Sequence, residues 1–303
     1  MKVLIGIPLY NEQAYISECL HSLYEFLTSE CSKYEITVLL LDDGSTDKSR
    51  EIYQKLARQY PFKYIRHWDG PLGYGNSILT LFQQTKSKYD VLITFDADCQ
   101  HAPFSIKEIL DLLDSNSNID LVSTSRYLSY RFWHQNTKVP IDRYVINMLI
   151  TKIINKCFNL ELTDAFCGLK GYRAKYLPNT LDHAGYSFPL VFWQYVSSKS
   201  LNLREIATPI IYRLDRRNRG EWSYRIKEYY KKLGSLISCP TLKQIIRQDY
   251  KYAIEILTEI IDNHSNFPIY TFTDFIKNNY FDQYKVAIET KKSHLQYSCY
   301  HLT

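Results

Sequence analysis

Three apolar runs of strand length each stop at an acidic or polar loop, and this recurrence constrains the fold more than any other feature of the chain. Residues 3–9, Val-Leu-Ile-Gly-Ile-Pro-Leu, lead into Tyr10-Asn11-Glu12. Residues 36–41, Ile-Thr-Val-Leu-Leu-Leu, lead into Asp42-Asp43-Gly44-Ser45-Thr46-Asp47. Residues 89–95, Tyr-Asp-Val-Leu-Ile-Thr-Phe, lead into Asp96-Ala97-Asp98-Cys99-Gln100-His101. Patterns of helical length, 13–28 and 47–59, lie between the runs. Strand and helix therefore alternate, as in a doubly wound parallel sheet with both faces covered. Such sheets bind ligands at the carboxyl ends of their strands, where these loops fall.

The third loop carries the most chemistry. Asp96 and Asp98, one residue apart, with the Gln100 amide oxygen beyond them, offer convergent hard oxygen ligands for Mg²⁺ or Mn²⁺. Such a cation would hold a diphosphate. An Asp-x-Asp pair in an ordinary surface loop is the alternative.

Composition removes several function classes. With 303 residues, 45% hydrophobic and 23% charged, the chain can bury a full core and is not disordered. The net charge of +5 is mild and no nucleic-acid recognition motif is present, so no nucleic-acid partner is expected. Seven cysteines, at 19, 31, 99, 157, 167, 239 and 299, include no Cys-x-x-Cys, which fits reduced thiols. Glu12 and Glu18 interrupt any apolar signal segment, and Lys152, Asn155 and Lys156 interrupt the longest apolar stretch, 145–162. Neither a signal peptide nor a transmembrane segment is expected, and the expected location is cytoplasmic.

Pro8-Leu9-Tyr10-Asn11-Glu12, Asp42-Asp43-Gly44-Ser45-Thr46-Asp47 and Asp96-Ala97-Asp98, in this order, resemble the signature of family 2 glycosyltransferases of the GT-A fold. The form Asp-Ala-Asp-x-Gln-His-x-Pro, Asp96 to Pro103, is similar to the dolichol-phosphate mannosyltransferase and polyprenyl-phosphate glycosyltransferase branch. The similarity covers about residues 1–225. It implies a Rossmann-like α/β fold, with a mixed, mainly parallel sheet flanked by helices. A catalytic domain over 1–235 would be followed by a helical extension over 236–303.

The activity it implies is inverting, metal-dependent transfer from a nucleotide-diphosphate sugar, of GDP-mannose or UDP-glucose type, to a polyprenyl or dolichyl phosphate. Pro8, Tyr10, Glu12, one of Asp42 and Asp43, and Asp96 would contact the donor, and Asp98 and Gln100, with Asp96, the metal. Asn11, Glu12, Asp42 and Asp43 also read as turn and helix-start residues. Asn76 joins the donor candidates because the glycine-rich segment 70–76 precedes an apparent helix, Ser77 to Gln84. Many relatives carry transmembrane anchors, so this chain would dock peripherally on the cytoplasmic membrane face or rely on a membrane partner.

For the acceptor phosphate the resemblance points to Arg126, Arg143, Asn147 where relatives carry serine, Arg217, and Ser223 in a block that departs by one inserted residue. Arg143 opens an apparent helix through about Asn159, either core-facing or, by resemblance, interfacial. Trp222 and Tyr224 are candidates for a membrane interface. Asp164 is the carboxylate to watch, because a hydroxyl acceptor needs a base and a phosphate acceptor does not. Asp96, Asp98, Arg126, Arg143, Asp164 and Arg217 are thus the expected catalytic set. Two alternatives stand: a soluble family 2 enzyme acting on a glycan or protein hydroxyl, and a non-catalytic scaffold. Beyond Pro240 the pattern predicts helices over 242–262, 273–280 and 283–296, with no assigned task.

Overall fold

In the computed structural model of the protein, the described residues are 1–129, 141–181, 185–212 and 221–237, with 243–244, 247–248 and 251. Their centre is a seven-stranded sheet. The strands are β1 (Lys2–Leu9), β2 (Glu35–Asp42), β3 (Phe62–Arg66), β4 (Val91–Thr94), β5 (Leu121–Ser125), β6 (Lys170–Arg173) and β7 (Leu203–Ala207). Their spatial order is β3-β2-β1-β4-β6-β5-β7. All pairings are parallel except those of β6, which runs antiparallel to both β4 and β5. The mixed, mainly parallel sheet is the one expected.

Alternate residues of the central strands feed two cores. Val3, Ile5, Ile7 and Leu9 of β1, with Val91 and Ile93 of β4, face α1 (Ile16–Glu30), α2 (Ser49–Leu56) and α4 (Phe104–Ser115). Leu4 and Leu92 face the other way, toward α3 (Tyr74–Thr85), α5 (Ile141–Phe158), α6 (Phe188–Ser198) and α7 (Glu221–Leu236). Two covered faces explain why these strands read as unbroken apolar runs.

α5 buries Tyr144, Ile146, Leu149, Ile150, Ile153, Ile154 and Phe158 against α6 and α7. The stripe Ile146, Leu149, Ile150, Ile153 and Ile154 is widened by buried Tyr144, Asn147, Thr151 and Phe158 and is covered by α6 and α7, so α5 packs as a core helix. No described helix is long and apolar enough to cross a membrane. The helices expected beyond residue 251, and the loop holding Arg217, lie outside the described residues, as do the side chains of Trp222, Ser223 and Tyr224.

Candidate active site

A cleft of about 790 Å³ opens at the carboxyl ends of β1, β2, β4 and β5. Of the residues singled out in the sequence, it is lined by Pro8, Tyr10, Glu12, Asp43, Asp96, Asp98, Gln100, Arg126, Arg143 and Asn147. Asp42, Asn76 and Asp164 do not line it.

The first two loops are stitched together. Asn11, at φ 56°, accepts from the backbone N–H of Thr46 at 2.8 Å, and its own N–H donates to Ser45 Oγ at 3.0 Å. The Glu12 N–H donates to Ser49 Oγ at 2.8 Å. Asn11 thus caps the neighbouring loop rather than α1, a role open to one of the few residues that tolerate left-handed backbone. Asp42 is fully buried, paired with Arg66, and accepts from Tyr53 Oη at 3.1 Å and the Ser45 N–H at 2.8 Å. It braces the loop from beneath. Asp43 accepts from the N–H groups of Leu72 at 2.9 Å and Gly73 at 2.8 Å, and lies 2.7 Å from His67 Nδ1, so it ties the glycine-rich segment to the rim. The Asn76 side chain donates to the Leu72 carbonyl at 2.7 Å within that segment.

Asp96 stands beside His101, with Nε2 and Oδ2 2.9 Å apart, and its Oδ1 has no hydrogen-bond partner. Burial opposes the charge of both groups, yet their mutual attraction prevails. Asp96 is held below the usual carboxylate range and His101 is pushed up to about 10. Gly168 closes the far side: a Cβ there would lie 2.2 Å from Asp96 Oδ2, so only glycine leaves room for the carboxylate. Asp98 receives the backbone N–H of Gln100 at 3.1 Å and its side-chain N–H at 2.5 Å, which leaves the amide oxygen of Gln100 available.

These oxygens suit a divalent cation shared with a ligand. Among the described residues no three His, Cys, Asp or Glu side chains converge as a closed metal cage. A cation placed here would meet Asp98, Gln100 and the unpartnered oxygen of Asp96, with other coordination positions left to phosphate and water, as in many Mg²⁺ sites.

The opposite wall is basic. Arg126 clasps Asp164 through Nε at 2.6 Å and Nη2 at 3.0 Å and donates from Nη1 to Tyr212 Oη at 3.1 Å. Asp164 also accepts from Asn147 Nδ2 at 2.7 Å and from the N–H of Phe166 at 3.1 Å. Burial alone would raise its pKa, but Arg126 outweighs that effect and holds the carboxyl below its ordinary value. Glu205 on β7 holds the segment in place, accepting the Thr163 N–H at 2.8 Å. Asp164 is thus a bracket for Arg126 with its oxygens committed, not a carboxylate open to a substrate.

Two basic lining residues, His101 and Lys170, carried no assigned role in the sequence. Lys170, on β6, is buried at 7% exposure. Tyr74, Trp193 and Tyr212 add aromatic wall. His101 stands within the Asp-x-Asp-x-Gln-His-x-Pro motif, which could have marked it, whereas no periodicity marks Lys170, Tyr74, Trp193 or Tyr212, and the crossing of β6 brings Lys170 to the cleft.

Comparison with known proteins bears on the family and the fold. The family model described as glycosyl transferase family 2 matches residues 4–181, more than half of the chain. An undecaprenyl-phosphate 4-deoxy-4-formamido-L-arabinose transferase of Edwardsiella ictaluri is 27% identical over 79% of this chain and 68% of its own length. A polyprenol monophosphomannose synthase of Mycolicibacterium smegmatis is 27% identical over 65% of this chain and 73% of its own. The glucosyl-3-phosphoglycerate synthase of Mycobacterium tuberculosis, solved with Mn²⁺, uridine diphosphate and phosphoglyceric acid, shares the fold at a TM-score of 0.56 and 15% identity, over 79% of each chain. Fold, loop order and family match converge, and the chain belongs to glycosyl transferase family 2, as a glycosyltransferase of the GT-A fold.

Proposed function

We propose that this chain transfers a sugar, with inversion, from a nucleotide-diphosphate sugar of GDP-mannose or UDP-glucose type to a polyprenyl phosphate. The observation that carries this reading is the division of charge across the cleft. Its lining carboxylates, Glu12, Asp43, Asp96 and Asp98, all come from the loops after β1, β2 and β4. The wall from β5, α5 and β6 contributes Arg126, Arg143, Asn147 and Lys170, and among the described residues the carboxylates behind it do not line the cleft: Asp164 is consumed by Arg126, and Glu205 by the backbone of Thr163 and Asp164. A hydroxyl acceptor needs a base on that side, whereas a phosphate, with a second pKa of about 6, arrives largely ionised and needs cations.

In the proposed reaction a phosphate oxygen forms the bond to the anomeric carbon while the bond to the diphosphate breaks, its electron pair leaving with the nucleoside diphosphate. No proton has to be removed. Tyr10 presents a half-exposed ring to the base, and Glu12 and Asp43 offer acceptors to base or ribose. Asp98 and Gln100, with Asp96, would hold Mg²⁺ or Mn²⁺, whose chemistry is to offset charge on the departing diphosphate. Arg126 and Arg143, with Asn147, would orient the acceptor, and Arg217 and Ser223 would join them from outside the described side chains. The work would be done at the cytoplasmic membrane face, by peripheral docking or through a membrane partner. The names of the relatives, which transfer to undecaprenyl phosphate or make polyprenol monophosphomannose, support the same class of acceptor.

The test is transfer of labelled sugar from GDP- and UDP-sugars into an organic phase containing polyprenyl phosphate, with and without Mg²⁺ or Mn²⁺. Metal-dependent transfer that falls at least about 100-fold in Asp98→Ala, with unfolding unchanged, is expected. Transfer to water-soluble hydroxyl acceptors, and none to the lipid, would overturn the reading.

A further inference from the structure

We infer that Lys170 binds the acceptor's phosphate, supplying the positive charge that Arg126 cannot. The inference rests on the acceptor reading above and starts from the charges around the cleft. Asp96 is matched by His101, and Asp164 by Arg126 through two hydrogen bonds. Each pair is close to neutral as a unit. Lys170 forms no salt bridge; its Nζ donates to the Cys167 carbonyl and stands 5.5 Å from the centre of the Trp193 ring. Trp193 is itself held by its indole N–H, which donates to the Ala165 carbonyl at 2.8 Å.

A buried ammonium with no carboxylate in contact, feeling Asp164 and Asp96 only from a distance and opposed by Arg126, is costly to keep. Burial pushes its pKa below the ordinary lysine value. An anion in the cleft would repair both deficits.

Its position says which anion. In the ladder, Lys170 lies opposite Thr94 of β4 and Ser123 of β5. Thr94 is followed by Phe95 and Asp96, and Ser123 by Thr124, Ser125 and Arg126. Lys170 therefore sits where the donor wall meets the acceptor wall. The donor's diphosphate already has the cation site at Asp98 and Gln100. The acceptor's phosphate faces Arg126, whose charge Asp164 cancels, and a dianion there requires an uncancelled cation.

The experiment compares the intact protein with Lys170→Met and Lys170→Arg, using farnesyl phosphate as acceptor and the nucleotide sugar that the wild type uses. Methionine matches the lysine stem, and Lys170 holds no salt bridge whose partner would be stranded. The arginine variant restores the charge if the methionine variant misfolds. Lys170→Met should raise the KM for farnesyl phosphate roughly 10- to 100-fold. The Kd for the nucleotide sugar, measured by calorimetry, should stay within about twofold, and Lys170→Arg should recover part of the loss. A weakened nucleotide-sugar Kd with an unchanged acceptor KM would assign Lys170 to the diphosphate and overturn the inference, as would no change in either constant. Wild-type protein that binds the nucleotide sugar and transfers nothing to farnesyl or longer polyprenyl phosphate would instead defeat the acceptor reading, and this inference with it.

Discussion

Asp164 shows how little a residue's type says about its task until its neighbours are known. Its carboxylate receives the guanidinium of Arg126, the amide of Asn147 and a backbone N–H, so Asp164→Asn removes the negative charge that balances a buried arginine. That should cost about 3–5 kcal/mol at neutral pH. Because the folded pKa lies below the unfolded value of about 3.9, the unfolded chain binds the proton more readily. The stabilisation is therefore present above about pH 4 and lost as pH falls through the folded pKa. Urea denaturation of both proteins at neutral and acidic pH should show the gap narrowing in acid; a gap independent of pH would contradict this account. At this scale the sequence was informative where residues cluster, as in Asp96-Ala97-Asp98, and silent where they stand alone. Asp42 and Asp43 are adjacent in sequence, yet alternation along the strand end sends one beneath the loop and the other into the cleft.

Elements were legible in proportion to their burial. β1, β2 and β4 are covered on both faces; the apolar runs that announce β1 and β2 match their spans to within one residue at each end, while β4 is the four-residue centre of the run 89–95. β3, at the sheet edge, mixes Lys63 and Arg66 with aromatic residues and carries no such run. β6, with the sequence Lys-Gly-Tyr-Arg, has almost no hydrophobic pattern, so neither its strand character nor its reversed direction can be read from the chain. What holds it is packing. A Cβ on Gly171 would come 2.2 Å from Cγ2 of Ile109, a buried residue of α4 that has no room to swing aside. Gly171→Ala should therefore lift α4 from β6 and lower stability by about 1–3 kcal/mol, measured by urea denaturation. An unchanged midpoint would show that the helix shifts at no cost.

For the whole molecule, the proposed lipid-borne acceptor has to be reached by a chain with no membrane-crossing helix among its described residues. With a net charge of +5, peripheral docking has an electrostatic route. Sedimentation with vesicles containing anionic lipid should pull the protein down at about 0.05 M salt and release most of it at about 0.5 M. Failure to bind at low salt would leave delivery to a membrane partner.

The antiparallel strand at the middle of the sheet has one more consequence. β6 is hydrogen-bonded to β4 on one side and to β5 on the other, so the ledges that carry Asp96 and Arg126 belong to a single stiff plate. Their separation behaves as a fixed gauge, and any closing movement has to come from segments standing above the plate rather than from the plate itself. Slipping β6 by a single residue would exchange its faces, turning Lys170 toward α4 and Gly171 toward the substrate. Four short residues thereby decide which chemistry looks out of the molecule and which looks in.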